Sequence, residues 1–189
     1  MPNWCHSELN VSGSKEDIKK FKELFMEDKR IVNSKIIPYP RELELLDKVH
    51  NTHSNNPYQP TEEEKKELMV IYLTGKYEKS DGYNQGGYDW CCENWGSKWG
   101  ICQCEILEET EENINFIFES AWSPSTPLIK EMSKKLPNLT FGYNCQEETL
   151  DYAFDSTWKG GEEIEYEDTL EERQKAEKEM YAEDEEAEG

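Results

Sequence analysis

The sequence lacks the long apolar run that a membrane-spanning helix requires. No segment approaches the roughly 20 consecutive apolar residues that cross a bilayer. Met1 leads directly into polar residues, without the basic segment and apolar stretch of a secretory signal. We therefore expect a protein without membrane association that resides in the cytoplasm.

Positive charge is also scarce. The chain has 21 Lys and Arg residues against 42 Asp and Glu residues, a net charge of −21, and its only arginines are Arg30, Arg41 and Arg173. Residues 161–189 hold 14 acidic and three basic residues, a balance of −11, which leaves −10 for residues 1–160. An acidic protein repels phosphates and is attracted to basic surfaces. Direct binding of nucleic acid is therefore not expected, whereas binding to a basic protein is.

The sequence motifs of common enzyme classes are missing as well. There is no phosphate-binding loop, dinucleotide fingerprint or nucleophile elbow. The glycine-rich stretch SDGYNQGG at 80–87 lacks the lysine and the strand-to-helix context of a phosphate cradle. His6 is next to Cys5, but neighbours on a strand point to opposite faces. The sequence does not decide whether the chain is an enzyme; it favours a non-enzymatic protein with no catalytic residue and no cofactor.

The cysteines do not have the spacing of a zinc site. In a cytoplasmic protein they are expected to be reduced, and structural zinc sites usually pair cysteines two to four residues apart. Here two adjacent cysteines precede two that alternate on a predicted strand, and His50 and His53 stand in a polar segment. We expect no metal site and small buried thiols. The cysteines are Cys5, Cys91, Cys92, Cys102, Cys104 and Cys145.

Apolar residues follow strand and helix periods in an order that predicts the fold. Strands are predicted at 5–12, 99–107, 114–122 and 139–145, the first from the alternation of Cys5, Ser7, Leu9 and Val11. One helix is predicted after Gly13, where Ser14 and Asp17 resemble a capping box, and another at Pro127, capped by Ser125 or Thr126. This order predicts an α+β, ferredoxin-like split βαβ (βαββαβ) domain, with an antiparallel sheet and two helices on one face.

Two further segments extend this plan. An insertion at about 33–98 is predicted to contain a helix from Thr61 to Lys76 with Leu68, Tyr72 and Leu73 along its buried stripe. A C-terminal hairpin is predicted around Gly160 and Gly161. We expect a single domain over residues 1–168 and an acidic tail at 169–189, helical or disordered.

The stretch GYDWCCENWGSKWG at 87–100 concentrates large aromatic side chains. One interpretation is a packing plug that seals the insertion against the sheet, with an exposed rim. The other is a pocket for a ligand or partner, since tryptophan offers apolar area, one N–H donor and a ring face for cations. The predicted binding residues are Tyr88, Trp90, Asn94, Trp95, Lys98, Trp99 and Trp122.

Three groups of residues carry a family resemblance. They are Asn3-Trp4-Cys5; Trp90-Cys91 with Asn94-Trp95-Gly96 and Lys98-Trp99; and Trp122-Ser123-Pro124. Together they resemble the YubB-like ferredoxin-fold proteins of bacteriophages and plasmids, from Pro2 to about Phe154. Ser7 departs from the asparagine that is usual there, and the acidic tail is outside the pattern. The resemblance implies the fold and a mobile-element setting, and implies no reaction.

Two hypotheses of function follow. The first is a non-enzymatic accessory protein of a phage or plasmid that binds a basic surface of a host protein in the bacterial cytoplasm, as a counter-defence inhibitor or nucleic-acid mimic. The second is a small-molecule or nucleotide-binding module that uses the Trp- and Gly-rich segment 83–100, with residues 80–87 as a lid. The oligomeric state is left open.

Overall fold

The computed structural model describes residues 2–50, 58–75 and 87–188 of the chain. Its strands are Trp4–Ser12 (β1), Met26–Glu27 (β2), Arg30–Ile31 (β3), Cys102–Glu109 (β4), Asn113–Ala121 (β5), Thr140–Glu147 (β6), Ala153–Lys159 (β7) and Glu162–Asp168 (β8). Its helices are Lys15–Phe25 (α1), Asn33–Ile36 (α2), Arg41–His50 (α3), Glu62–Thr74 (α4), Tyr88–Trp95 (α5), Thr126–Lys135 (α6) and Leu170–Glu188 (α7). Among these helices, none is long and apolar enough to cross a membrane.

Six strands form one antiparallel sheet in the order β4-β5-β1-β6-β7-β8. The strands β1, β4, β5 and β6, with helices α1 and α6, give the predicted ferredoxin-like arrangement, in which the first strand lies between the third and the fourth. The predicted hairpin is β7 and β8, which add to the sheet beside β6. The α+β, ferredoxin-like prediction is confirmed.

One face of the sheet carries the main core. Helix α1 buries Ile18, Phe21 and Phe25. Helix α6 buries Leu128, Ile129 and Met132 on the same side, and Leu136, directly after the helix, is buried with them. Each such side chain contributes about 1.5–3 kcal/mol when it is fully buried. Ser14 caps α1 as predicted, since its hydroxyl accepts a hydrogen bond from the Asp17 N–H.

The segment between α1 and β4 forms a second apolar cluster. Its buried residues come from α3 and α4: Leu43, Leu45, Leu46, Leu68 and Ile71. Thr61 and Glu64 form the predicted capping box at the start of α4. The predicted stripe of α4 is confirmed for Leu68 and wrong for Tyr72 and Leu73, which are 44% and 76% exposed, while Ile71 is buried together with Leu68.

The C-terminal region ends on an exposed strand and helix. Every residue of β8 is exposed. Helix α7 returns toward the sheet in its first turn, where Arg173 reaches Asp155 of β7 (Nη2 to Oδ1, 2.8 Å) and Gln146 of β6 (Nη1 to Oε1, 3.1 Å). The predicted lid at 80–87 lies outside the described residues except for Gly87, as does His53.

Candidate functional site

The aromatic segment forms a short helix, α5, which the sequence did not predict. Gly96 ends this helix in the left-handed conformation, with φ of 84°. A Cβ atom there would lie 2.3 Å from the Pro124 carbonyl oxygen, so only glycine permits this approach of α5 to the start of α6. The glycine therefore sets the direction in which α5 presents its tryptophans.

Trp90 and Trp95 join the two apolar clusters. Their rings pack edge to face with centroids 5.4 Å apart, and Tyr39 contacts both, at 5.3 Å and 5.5 Å. Trp95 packs against the main core and Trp90 against the second cluster. The indole N–H of Trp95 donates to the Ile37 carbonyl oxygen at 3.0 Å. This is the arrangement that the packing interpretation predicts for these two residues.

Trp99 and Lys98 lie apart from that pair, at the end of the sheet. Trp99 was predicted to begin a strand, but it lies in a turn before β4. Its ring stacks on Trp4 with centroids 6.0 Å apart, and the Lys98 Nζ lies 4.7 Å from the centre of the Trp99 ring. Trp4 was absent from the predicted site, although its place in the Asn3-Trp4-Cys5 group was a signal for it.

The remaining predicted residues do not converge on these rings. The Asn94 side chain donates to the carbonyl of Trp90 within its own helix, at 2.9 Å. Tyr88 is exposed at the start of α5. Trp122 is 57% exposed and has φ of 70°, and its backbone N–H donates to the Asn3 carbonyl at 2.9 Å. The seven residues thus comprise a packed pair, Trp90 and Trp95, three partly buried residues, Asn94, Lys98 and Trp99, and two exposed ones, Tyr88 and Trp122.

A carboxyl group lies beside the packed pair. The Tyr39 hydroxyl donates to Asp47 Oδ2 at 2.8 Å, while Asp47 Oδ1 is buried and has no hydrogen-bond partner within the described ranges. Burial raises the pKa of Asp47 to about 6 and the pKa of the nearby Cys91 thiol to about 12. Cys91 is therefore a protonated, unreactive thiol.

Cys5 lies under the helices rather than in a cleft. A hydrogen bond from Cys145 lowers the pKa of the Cys5 thiol, and the Tyr152 hydroxyl lies 2.6 Å from its Sγ. Cys5 is fully buried, whereas His6 is exposed on the other face with its Nδ1 3.5 Å from Glu119 Oε1. No accessible nucleophile–base pair exists here. Across the described parts of the chain, no group of three metal-ligating side chains comes together.

The face of the sheet opposite α1 and α6 is open, and we call it the open face. The strand registers align its side chains in rows that cross all six strands. One row, the acidic row, consists of Glu105, Ile117, Glu8, Asn144, Asp155 and Glu167. Its neighbour consists of Glu108, Asn115, Asn10, Gly142, Thr157 and Glu165. At about 4.8 Å between strands, each row is roughly 24 Å long.

The open face carries negative charge with little compensation. The two rows contain six carboxylates and no lysine or arginine. Arg173 pairs with Asp155 at one end of the face. Two shallow depressions of about 650 and 600 Å³ lie on this face, and Glu8 and Asn144 border both. The acidic composition was visible in the sequence, but the alignment of these residues was not.

Comparisons with known proteins support the fold. A family described as "Ferredoxin-like domain in Api92-like protein" matches residues 98–188. The solved structure of protein api92 from Yersinia pseudotuberculosis is similar to this chain, with a TM-score of 0.52 and 10% sequence identity, over 89% of this chain and 98% of that one. Among curated proteins, none matches the chain. At this identity the likeness concerns the fold alone.

Proposed function

We propose that this chain is a non-enzymatic binding protein whose open face docks on a basic surface of another protein. The observation that carries the proposal is the acidic row, in which Glu105, Glu8, Asp155 and Glu167 lie on the face of the sheet opposite α1 and α6. Helix α7 reaches this face in its first turn, where Arg173 pairs with Asp155. A single-sign field over a surface of this length accelerates encounter with an oppositely charged partner and makes binding sensitive to salt.

The same face argues against direct binding of nucleic acid. Ferredoxin-like sheets that bind RNA stack bases on exposed aromatic side chains and contact phosphates with basic ones. Here the open-face positions in the middle of β1 and β5, the first and third strands of the ferredoxin-like order, hold His6, Glu8, Ile117 and Glu119. The face offers carboxylates at positions where a nucleic-acid-binding sheet needs cations, so it is suited to a protein that itself binds nucleic acid.

The setting we propose follows from the family resemblance. YubB-like proteins belong to phages and plasmids, and an acidic protein of a mobile element gains from occupying the nucleic-acid-binding surface of a host defence or replication protein in the bacterial cytoplasm. We therefore propose that the partner is such a host protein. The small-molecule alternative has weaker support, because Trp90 and Trp95 pack against one another and against the two apolar clusters. Trp95 also borders a depression of about 640 Å³, but the rest of its lining comes from residues 27–34 and includes no other predicted binding residue.

The test compares two variants that lose the same charge. The face variant carries Glu8→Gln, Asp155→Asn and Glu167→Gln. The control variant carries Glu16→Gln, Glu23→Gln and Glu63→Gln, all exposed on helices away from the open face. Each variant and the unaltered chain are immobilised and used to capture proteins from a bacterial lysate at low salt.

We expect a protein that the unaltered chain and the control variant capture and the face variant does not, and we expect duplex DNA to displace it. Equal capture by both variants would mean that the open face is not the binding surface. Capture that duplex DNA does not disturb would mean that the partner's nucleic-acid-binding surface is not involved.

A further inference from the structure

Strand β8 is the last strand of the sheet, and one of its edges is unpaired. It pairs with β7 along Phe154 to Lys159, and within residues 2–50, 58–75 and 87–188 no strand pairs with its other side. At the opposite end of the sheet, the two-residue strand β3 approaches β4 without pairing with it. An unpaired edge offers a row of backbone N–H and C=O groups to another extended chain.

The two faces of β8 have different chemistry. Glu165 and Glu167 pair with Thr157 and Asp155 and so lie on the open face. Tyr166 pairs with the buried Ser156 and so lies on the other face, where it is 59% exposed. Ile164 stands at the bulge in the pairing with β7 and is 54% exposed. The Tyr166 ring stacks on Phe154 at 5.7 Å, which extends the apolar surface of the main core to the edge.

A second copy of this chain is a poor occupant of the edge. Five of the seven residues of β8 are acidic: Glu162, Glu163, Glu165, Glu167 and Asp168. Pairing of β8 with itself would place carboxylates opposite carboxylates, and like charges directly opposite one another destabilise a strand pair. Charge complementarity selects a basic strand.

We infer that the β8 edge binds an extended, basic segment of the partner protein as a seventh strand of the sheet. Lysine or arginine side chains of that segment lie beside Glu165 and Glu167, and the alternate apolar side chains pack on Tyr166. Backbone hydrogen bonds hold the added strand and the alternating pattern selects it, as in other cases of strand addition. This inference rests on the proposed function and adds the conformation and the pattern of the ligand.

The first test uses two synthetic peptides of equal composition. One is a blocked decapeptide of alternating Lys and Val, and the other has the lysines in one half and the valines in the other. Fluorescence anisotropy of labelled peptides measures binding to the full chain. We expect the alternating peptide to bind about tenfold more tightly, a difference of about 1.4 kcal/mol. Equal affinity would overturn strand addition.

The second test probes the backbone hydrogen bonds. Successive N–H groups of a strand point to opposite sides, so in the alternating peptide the lysine amides point one way and the valine amides the other. Two further peptides are N-methylated on all lysine amides or on all valine amides. We expect one of them to lose about tenfold in affinity and the other to change little. Equal loss, or no loss, in both would overturn strand addition.

The third test changes the protein. The edge variant carries Ile164→Ser and Tyr166→Ser, and its matched control carries Met69→Ser and Leu73→Ser, two exposed apolar residues on α4. We expect weaker binding of the alternating peptide by the edge variant only. The peptide tests need no variant, so they decide the question even if the edge variant fails to fold.

These outcomes separate the inference from the proposed function. If both unmethylated peptides bind equally and the face variant binds neither, the strand addition is wrong and the acidic open face remains the binding surface. If the alternating peptide binds more tightly than the block peptide but the face variant captures the lysate protein as well as the unaltered chain does, the strand addition stands and the proposed function of the open face is wrong.

Discussion

The two faces of the six-stranded sheet differ, because one is buried under the helices and the other carries exposed, mainly acidic and polar side chains. On β1, the face under the helices buries Cys5, Ser7, Leu9 and Val11, while the open face presents His6, Glu8 and Asn10. The covered face is continuous with the tryptophan pair and determines stability. The open face contributes little to packing, so its residues were free to become acidic. This contrast separates the residues that stabilise the fold from those available for binding.

The largest expected effect concerns the covered side. Trp95→Ala should lower the free energy of unfolding by about 3 kcal/mol, because it removes the ring that connects the two apolar clusters. Urea unfolding followed by circular dichroism measures the change. Trp122→Ala is the control, since Trp122 is 57% exposed and should change stability by less than about 0.5 kcal/mol. Equal effects of the two substitutions would contradict the distinction between the packed pair and the exposed residues.

The second prediction contrasts a buried carboxyl with the solvated ones of the open face. Burial raises the pKa of Asp47 from 3.8 to about 6. Between these pH values the folded protein holds a proton that the unfolded chain releases, so the free energy of unfolding falls as pH rises, by up to about 3 kcal/mol. Asp47→Asn should remove this part of the pH dependence of the free energy of unfolding. Urea unfolding across this pH range measures the difference between the two proteins, and an identical pH dependence would refute the assignment.

The third prediction concerns the approach of α5 to α6. Gly96→Ala should lower the free energy of unfolding by about 2–3 kcal/mol. The left-handed backbone is strained for alanine, and the new methyl group meets the Pro124 carbonyl. The matched substitution is Gly160→Ala, where φ is also positive, at 63°, but no atom lies within 4 Å of the Cβ position. This substitution should lower the free energy of unfolding by only about 1 kcal/mol. Thermal melting measures the loss of stability in both variants. Equal losses would show that the structure adjusts to remove the contact between the new methyl group and the Pro124 carbonyl.

The smallest effect is expected on the open face. The face variant, with Glu8, Asp155 and Glu167 replaced by amides, should change the free energy of unfolding by no more than about 0.5 kcal/mol. Any increase in the free energy of unfolding that comes from reduced repulsion between carboxylates should disappear at high salt, because salt screens exposed charges. A decrease in the free energy of unfolding several times larger than this would show that these residues stabilise the fold, and would remove the basis for assigning them to binding.

The sequence predicted the covered face well because alternation reports burial directly. The strands that contain Leu9, Phe116 and Phe141 were recognised from apolar residues at every second position. The helix α4 shows where this signal fails. Residues 68–73 are all apolar, so the sequence does not distinguish the face with Leu68 and Ile71 from the face with Tyr72 and Leu73.

The tryptophan segment was harder to predict. Its density of Trp, Cys and Gly obscured the helical period, so α5 was missed, and Trp99 was placed in β4 although Gly100, with φ of 62°, follows it in a turn. The acidic row could not be read from the chain at all. Glu8, Glu105, Asp155 and Glu167 are far apart in sequence, and they align only through five strand registers.

The most direct test of the central claim is carboxylate footprinting of the complex with the captured partner. Exposed carboxylates are coupled to an amine with a carbodiimide, with and without the partner, and the modified residues are identified by mass spectrometry. The account predicts that Glu8, Asp155 and Glu167 are protected in the complex while Glu16, Glu23 and Glu63 react as before. Protection confined to the helices or to α7, with the open face still reactive, would contradict it.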